Sequence, residues 1–243
     1  MNLLKLKGIP VPKIELLKTP EQIEGMKQIV DVIHAGGAKA FIQLNHAGGN
    51  GIDPDAEAPI IAKQAGWAEQ EPESWWQYLT LATHDVMKQS GVDKNDIKAI
   101  GISWQMHGLV CVDKDLNVLR PSIIWCDSRA VGIGAEALQT IGYDKCMSHL
   151  LNSPGNFTAS KLAWVKRNEP ENYAKIWKFM LPGDYVAYKF SGEVNTTETG
   201  LSEQILWDFK ENRRADFVAE YYGIDPALIP DIVPSIGVAA RTS

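Results

Sequence analysis

The chain has 243 residues, of which 45% are hydrophobic and 22% charged, and its formal net charge is −6. A chain of this size and ordinary composition buries a good core as one large domain or two small ones. The acidic balance leaves no basic stripe to neutralise phosphates and so excludes a nucleic-acid surface, and no apolar run reaches the ~18 residues that span a bilayer.

Thr19-Pro20-Glu21-Gln22 opens a helix, with Thr as its cap, Pro in its first turn and Gln three residues after the cap. Ile23, Met26, Ile29 or Val30, and Ile33 then recur on one face, and Gly36-Gly37 ends the helix. Ala38 to Leu44 reads as a strand, giving a helix–strand piece of α/β architecture. Gly48 to Ala58 is rich in Gly, Asn and Asp and holds Pro54. It reads as a solvated linker that puts a junction near residue 52.

Pro72 starts a long helix and places Glu73 at its positive end. Trp75 or Trp76, Leu79, Ala82 and Val86 supply its core stripe. Ile97 to Ser103 is a short apolar run that predicts a buried strand, and Trp104-Gln105-Met106-His107-Gly108 follows directly on it. Two more strand-like runs, Leu109 to Asp113 and Asn117 to Trp125, hinge at Lys114-Asp115. The sequence from Asp113 lacks the Gly at the sixth position of a calcium loop and has Ile124 at its twelfth, so a hairpin turn is expected. An amide and an imidazole each donate and accept hydrogen bonds, as sugar hydroxyls do. A strand tip presenting Gln105, Met106 and His107 thus suits a small polyhydroxylated ligand, a satisfied turn being the plain alternative.

Beyond the tip, Asp127 and Arg129 read as an ion pair capping a helix expected to begin near Ala130. Thr158 reads as the cap of a helix whose apolar face holds Leu162 and Val165, with Lys166-Arg167-Asn168 on its polar side. Residues 215–222 form a short helix that Gly223-Ile224-Asp225-Pro226 ends. Gly132-Ile133-Gly134 lacks the third glycine of a dinucleotide fingerprint, and the five histidines show no metal-type grouping. Cys111, Cys126 and Cys146 also lack metal spacing and read as free thiols in a reducing compartment; with no signal-peptide stretch, a cytoplasmic protein is expected.

The string GISWQMHGLVCVD, with LRPSIIWCDSR after it, resembles the N-terminal domain of the FGGY carbohydrate kinases, and within them the xylulokinases. Gly66-Trp67-Ala68-Glu69-Gln70, Asn156 to Val165 and Leu181-Pro182-Gly183-Asp184-Tyr185 extend the resemblance, which runs from Ala58 to about Val238. Asn156 departs from the family signature at its first position. The resemblance implies an α/β, ribonuclease H-like (actin-like ATPase) N-terminal lobe of a sugar kinase. That lobe would be incomplete at its N-terminus and carry an appended helix–strand segment, with domains at 1–52 and 53–243. It implies ATP- and Mg²⁺-dependent phosphorylation of a ketopentose such as D-xylulose, the sugar lying on Gln105, Met106 and His107 with Asp127 and Arg129 flanking it. The family's catalytic Asp falls on Gly200 here; Glu198 and Glu203 are the nearby carboxylates, and Glu203, three positions on, is preferred as the base. Gly51-Ile52-Asp53 begins like the family's phosphate loop, but Pro54-Asp55 replace its Gly-Thr. With that loop missing and a nucleotide domain expected only beyond Ser243, little activity of the chain by itself is expected. Unpaired sheet edge beside Ile97 to Ser103 adds an expectation of self-association.

The string EQIEGMKQIVDVIHAGGAKAFIQLNHAG resembles a different family, the old yellow enzyme flavin oxidoreductases, over a helix and a strand of their TIM barrel. That resemblance puts Gln43 against the pyrimidine of FMN, although His46-Ala47-Gly48-Gly49 lacks the family's Arg. One such unit closes no barrel, because the other strands supply its hydrogen bonds and core. An FMN-dependent oxidoreductase fragment and a non-catalytic sugar-binding module are therefore the two alternatives to a kinase.

Overall fold

The computed structural model of the chain describes residues 20–36 and 64–242. The chain divides into two compact units, Met1–Leu44 and Asn45–Ser243. In the first, α1 (Pro20–Ala35) starts where Thr19-Pro20 predicts, and the Gly36 amide closes it on the Val32 carbonyl. The strand expected at Ala38–Leu44, Gln43 and His46, and the linker at Gly48–Ala58 lie outside the described residues. Among the described residues no helix is long and apolar enough to cross a membrane.

The second unit is built around a short antiparallel run of strands. β1 (Glu69–Gln70) is followed by α2 (Pro72–Ser90), then β2 (Val110–Val112) and β3 (Ser122–Ile123). β1 pairs with β3, and β2 pairs with β4 (Lys178–Met180), Val110 facing Met180. Bridges at Leu109↔Ile123 and Val112↔Val118 tie the two ladders together. The Asp113–Asn117 turn between β2 and β3 is the expected hairpin: Asp113 Oδ1 accepts from the amides of Asp115 and Asn117, both at 2.9 Å.

β2 carries an unbroken apolar run because it is buried on both faces. Leu109 and Cys111 enter the larger core, whereas Val110 and Val112 enter a smaller one with Met180 and Tyr185. Successive strand residues point to opposite sides, so two cores require apolar residues at every position. α3 (Val131–Ile141), α4 (Tyr143–His149), α5 (Thr158–Asn168) and the short α6 (Pro170–Tyr173) follow the hairpin, then β4 and α7 (Pro182–Ser191). After them come β5 (Asn195–Thr197), α8 (Glu198–Glu203), the β6 (Trp207–Asp208) and β7 (Arg213–Arg214) hairpin, α9 (Asp216–Tyr222) and β8 (Asp231–Val233), which pairs parallel with β5. Leu162 and Val165 of α5 and Val218 and Ala219 of α9 fill the larger core; Trp75 of α2 and Tyr188 of α7 pack against the smaller one.

Four expectations need correction. Ile97–Ser103 forms no strand: it is irregular, and Ile97 and Ile100 are 46% and 51% exposed. A buried strand needs ladder partners for its amides and carbonyls, and among the described residues no strand runs beside it. The sheet edge expected there is accordingly absent. On α2, Trp75, Trp76, Leu79 and Val86 are half-buried but Ala82 is exposed, since the second half of the helix extends past the core. Thr158 is inside α5 rather than its cap, and its hydroxyl donates to the Gly108 carbonyl at 3.2 Å. Asp127 and Arg129 do pair, but the cap of α3 is Ala130, which offers no side-chain bond.

Candidate functional site

The tip that follows the irregular segment is held from several directions. Gln105 Nε2 donates to Gln70 Oε1 at 2.9 Å, and the same oxygen accepts from Trp75 Nε1 at 3.1 Å. Met106 is 53% exposed. His107 is in the left-handed region, at φ 57°, a conformation that a non-glycine residue holds only when its surroundings impose it. Three contacts do so here. Its Nδ1 is 3.0 Å from the Glu203 carbonyl oxygen, its ring lies 4.2 Å from that of Phe157, and its own carbonyl accepts from Lys161 Nζ at 2.6 Å.

Nδ1 facing a carbonyl oxygen must carry the proton, which leaves Nε2 as the acceptor in the neutral ring. Burial holds the His107 imidazole below its ordinary value, opposed by the Glu203 carbonyl bond, so the neutral form dominates near pH 7. Lys161 is fully buried. Burial pulls its ammonium down from 10.5 to about 8, while the charge of Asp127 works in the other direction.

Asp127 and Arg129 close on each other and on the fold. Arg129 pairs with Asp127 at 2.6 Å and with Glu69 at 2.8 Å, all three side chains being buried. Its guanidinium lies 3.8 Å from the Trp67 ring centre and 4.8 Å from that of Trp164, two cation–π contacts to an edge-to-face indole pair. Asp127 Oδ2 also accepts from the Ala68 amide at 2.6 Å, and Asn156 Nδ2 donates to the Asp127 carbonyl. Glu69 further binds Arg120 at 2.5 Å. This network fastens β1 to the start of α3, directly behind the tip.

α8 decides the carboxylate. Thr197 caps it by accepting from the Gly200 amide at 2.9 Å, so Glu198, Gly200 and Glu203 are helical rather than turn residues. Gly200 has no room for a side chain: a Cβ there would lie 2.6 Å from Thr196 Oγ1. Glu198 is exposed, whereas Glu203 is half-buried and its Oε2 is buried without a hydrogen-bond partner. Glu203 is also close enough to act electrostatically on both His107 and Asp184. Asp184, largely buried at the start of α7, is pushed up to about 7 by burial, against the Leu181 amide that donates to it at 3.1 Å.

The structure thus brings His107 and Glu203 together, turns Gln105 toward Gln70, leaves Met106 open and ties Asp127 and Arg129 into the buried network with Glu69. Sequence reasoning passed over Lys161, Gln70 and Asp184. For Lys161 the signal was available: Thr158, Lys161, Leu162 and Val165 fall at i, i+3, i+4 and i+7, the buried stripe of α5. A lysine there needs a partner. Gln70 and Asp184 act across long sequence separations and left no local signal.

Comparison with known proteins agrees with this arrangement. The family model for the FGGY family of carbohydrate kinases, N-terminal domain, matches residues 36–243. It begins earlier than the Ala58 start that the motifs suggest, and it takes in Gln43 and His46. The flavin reading therefore has no support. The chain is 31% identical to the xylulose kinase of Bacillus subtilis over 215 residues, covering 86% of this chain and 42% of the relative. It is 38% identical to that of Klebsiella pneumoniae over 160 residues, covering 65% and 32%. Among solved structures, a xyloylose kinase from Brucella ovis superposes with a TM-score of 0.71 at 28% identity, over 77% of this chain and 38% of that one. A gluconate kinase from Lactobacillus acidophilus, at 21% identity over 76% of this chain and 37% of that one, shares the fold with a TM-score of 0.69. The chain spans less than half the length of these proteins. It belongs to the FGGY family of carbohydrate kinases, as an α/β N-terminal domain of the ribonuclease H-like, actin-like ATPase fold.

Proposed function

We propose that this chain is the sugar-binding part of a xylulokinase-like carbohydrate kinase, with residues 53–243 forming the lobe that receives a ketopentose such as D-xylulose and residues 1–52 an appended segment. The observation that carries the reading is the tethered His107. A left-handed residue fixed by Lys161, Phe157 and the Glu203 carbonyl presents an imidazole acceptor beside the Gln105 amide and the exposed Met106. Fixed donors and acceptors of this kind orient a polyol without paying to order themselves on binding. Asp127 and Arg129 contribute from behind, by holding β1 and the start of α3 rigid.

Glu203 is the base in this reading. It is one helical turn beyond Gly200, and its Oε2, enclosed without a hydrogen-bond partner, would take the proton of the attacking sugar hydroxyl. Sugar kinases move the γ-phosphoryl of MgATP to that hydroxyl, and ATP with Mg²⁺ is the cofactor set this membership brings. Among the described residues no three His, Cys, Asp or Glu side chains gather as a metal site. Calorimetric titration with D-xylulose tests the reading. Binding that His107→Ala weakens at least tenfold supports it, and absence of binding to the parent chain refutes it.

A further inference from the structure

Trp104 is the residue just before the tip, and the first turn of α7 is shaped around it. A Cβ on Gly183 would lie 2.5 Å from Trp104 Cε3 and 2.9 Å from Cε2, so the indole is in contact with the bare α7 backbone. One residue away the arrangement is reversed: a Cβ on Gly108 would lie 2.8 Å from Pro182 Cδ. Each partner contributes a glycine where the other contributes a ring, and the segment 104–108 is locked onto 182–183. Any side chain on Gly183 would displace the indole.

Although one side of the ring is packed, Trp104 remains 37% exposed. Trp104 and Met106, two residues apart, are the exposed large apolar side chains of the tip segment, while Gln105 turns inward to Gln70. An indole face is electron-rich and attracts polarised C–H groups, and a thioether adapts to irregular shapes. We propose that Trp104, seated on Gly183, is a specificity-determining residue: a stacking wall for the C–H face of a sugar whose hydroxyls are read by the polar groups of the tip. This rests on the sugar-binding reading above and adds the ligand class that the wall selects, a polyol with a contiguous run of C–H groups.

The test titrates D-xylulose into the parent chain, Trp104→Ala, Trp104→Phe, Gly183→Ala and His107→Ala. Tryptophan emission is recorded in each, and a cooperative melt confirms folding. The expected result is at least a tenfold loss of affinity in Trp104→Ala and Gly183→Ala, with Trp104→Phe within about threefold because a flat ring is kept. The sugar-induced emission change of the parent disappears in Trp104→Phe. If His107→Ala loses binding while Trp104→Ala binds as the parent does, the wall is refuted and the sugar site stands. If a misfolded Trp104→Ala leaves only Trp104→Phe to read, an emission change identical to the parent's refutes the wall equally. Failure of the parent to bind overturns both.

Discussion

Replacing Lys161 by Met separates the cost of burying a charge from the value of the bond that charge makes. The ammonium is fully buried and donates to the His107 carbonyl at 2.6 Å. Burial lowers it from 10.5 to about 8. At 1.36 kcal/mol per decade this amounts to ~3 kcal/mol against the charged form in the folded state. The sign follows from proton counts. Between pH 8 and 10.5 the unfolded chain keeps the proton and the folded chain has released it, so the stability owed to this group rises with pH across that window. Below pH 8 the full cost is present. Met removes the cost but leaves the His107 carbonyl without its donor, a loss of ~1–3 kcal/mol. Lys161→Met is therefore roughly neutral to mildly stabilising at pH 7, and its advantage over the parent falls by ~3 kcal/mol between pH 7 and 10.5. Urea denaturation of both proteins at the two pH values measures this, because other groups that titrate over the range cancel in the difference. A difference independent of pH would mean that Lys161 is solvated and the account of the tether is wrong.

Asp184 behaves in the opposite direction. With its carboxyl raised to about 7 by burial, the folded chain holds a proton that the unfolded chain loses near pH 4, so its contribution to stability declines from pH 4 to 7. Asp184→Asn removes that decline, and melts across this range check it. Gly200→Asp, which restores the family's residue, forces a side chain against Thr196 and destabilises by ~1–3 kcal/mol in a thermal melt without supplying a working base. Glu203→Gln keeps the carbonyl that His107 contacts; it leaves the D-xylulose affinity within about threefold and lowers xylulose-dependent ADP release by ~10²–10⁴-fold where the parent preparation turns over. Ile100→Asn, in the exposed irregular segment, changes stability by no more than ~0.5 kcal/mol by denaturant titration.

What the sequence made legible follows from where each element gets its stability. Pro72, with Glu73 after it, and Gly223 mark helix limits through local backbone chemistry, and α2 and α9 begin and end beside them. Leu109–Val112 was legible because double burial demands an unbroken apolar run. Ile97–Ser103 has an equally apolar sequence, but being a strand is a property of a ladder and not of a run, and no described partner supplies one. Gln105, Met106 and His107 were legible as polar and adaptable groups following an apolar run. The tethers of His107 were not, since Lys161 and Glu203 are 54 and 96 positions away. Asp127 and Arg129 were legible as a charge pair, but their enclosure by Trp67 and Trp164 depends on two distant indoles.

These facts together fix how the site keeps its shape. In an ordinary sheet a strand positions the residues at its tip, and the strand's own ladder provides the stiffness. Here the segment leading to the tip has no ladder, yet His107 holds a left-handed conformation that an untethered residue would abandon. The stiffness must come from the helices in front: Lys161 of α5, the end of α8 through the Glu203 carbonyl, and the first turn of α7 through the Gly183 and Gly108 contacts. Under the proposed reading, a site secured this way would couple sugar recognition to the carboxylate, because the backbone of Glu203 anchors His107 and its side chain acts electrostatically on the same imidazole. Any movement of α8 that repositions the carboxylate therefore also shifts the imidazole, so in that reading one helix end, rather than two independent elements, would set both substrate orientation and proton removal.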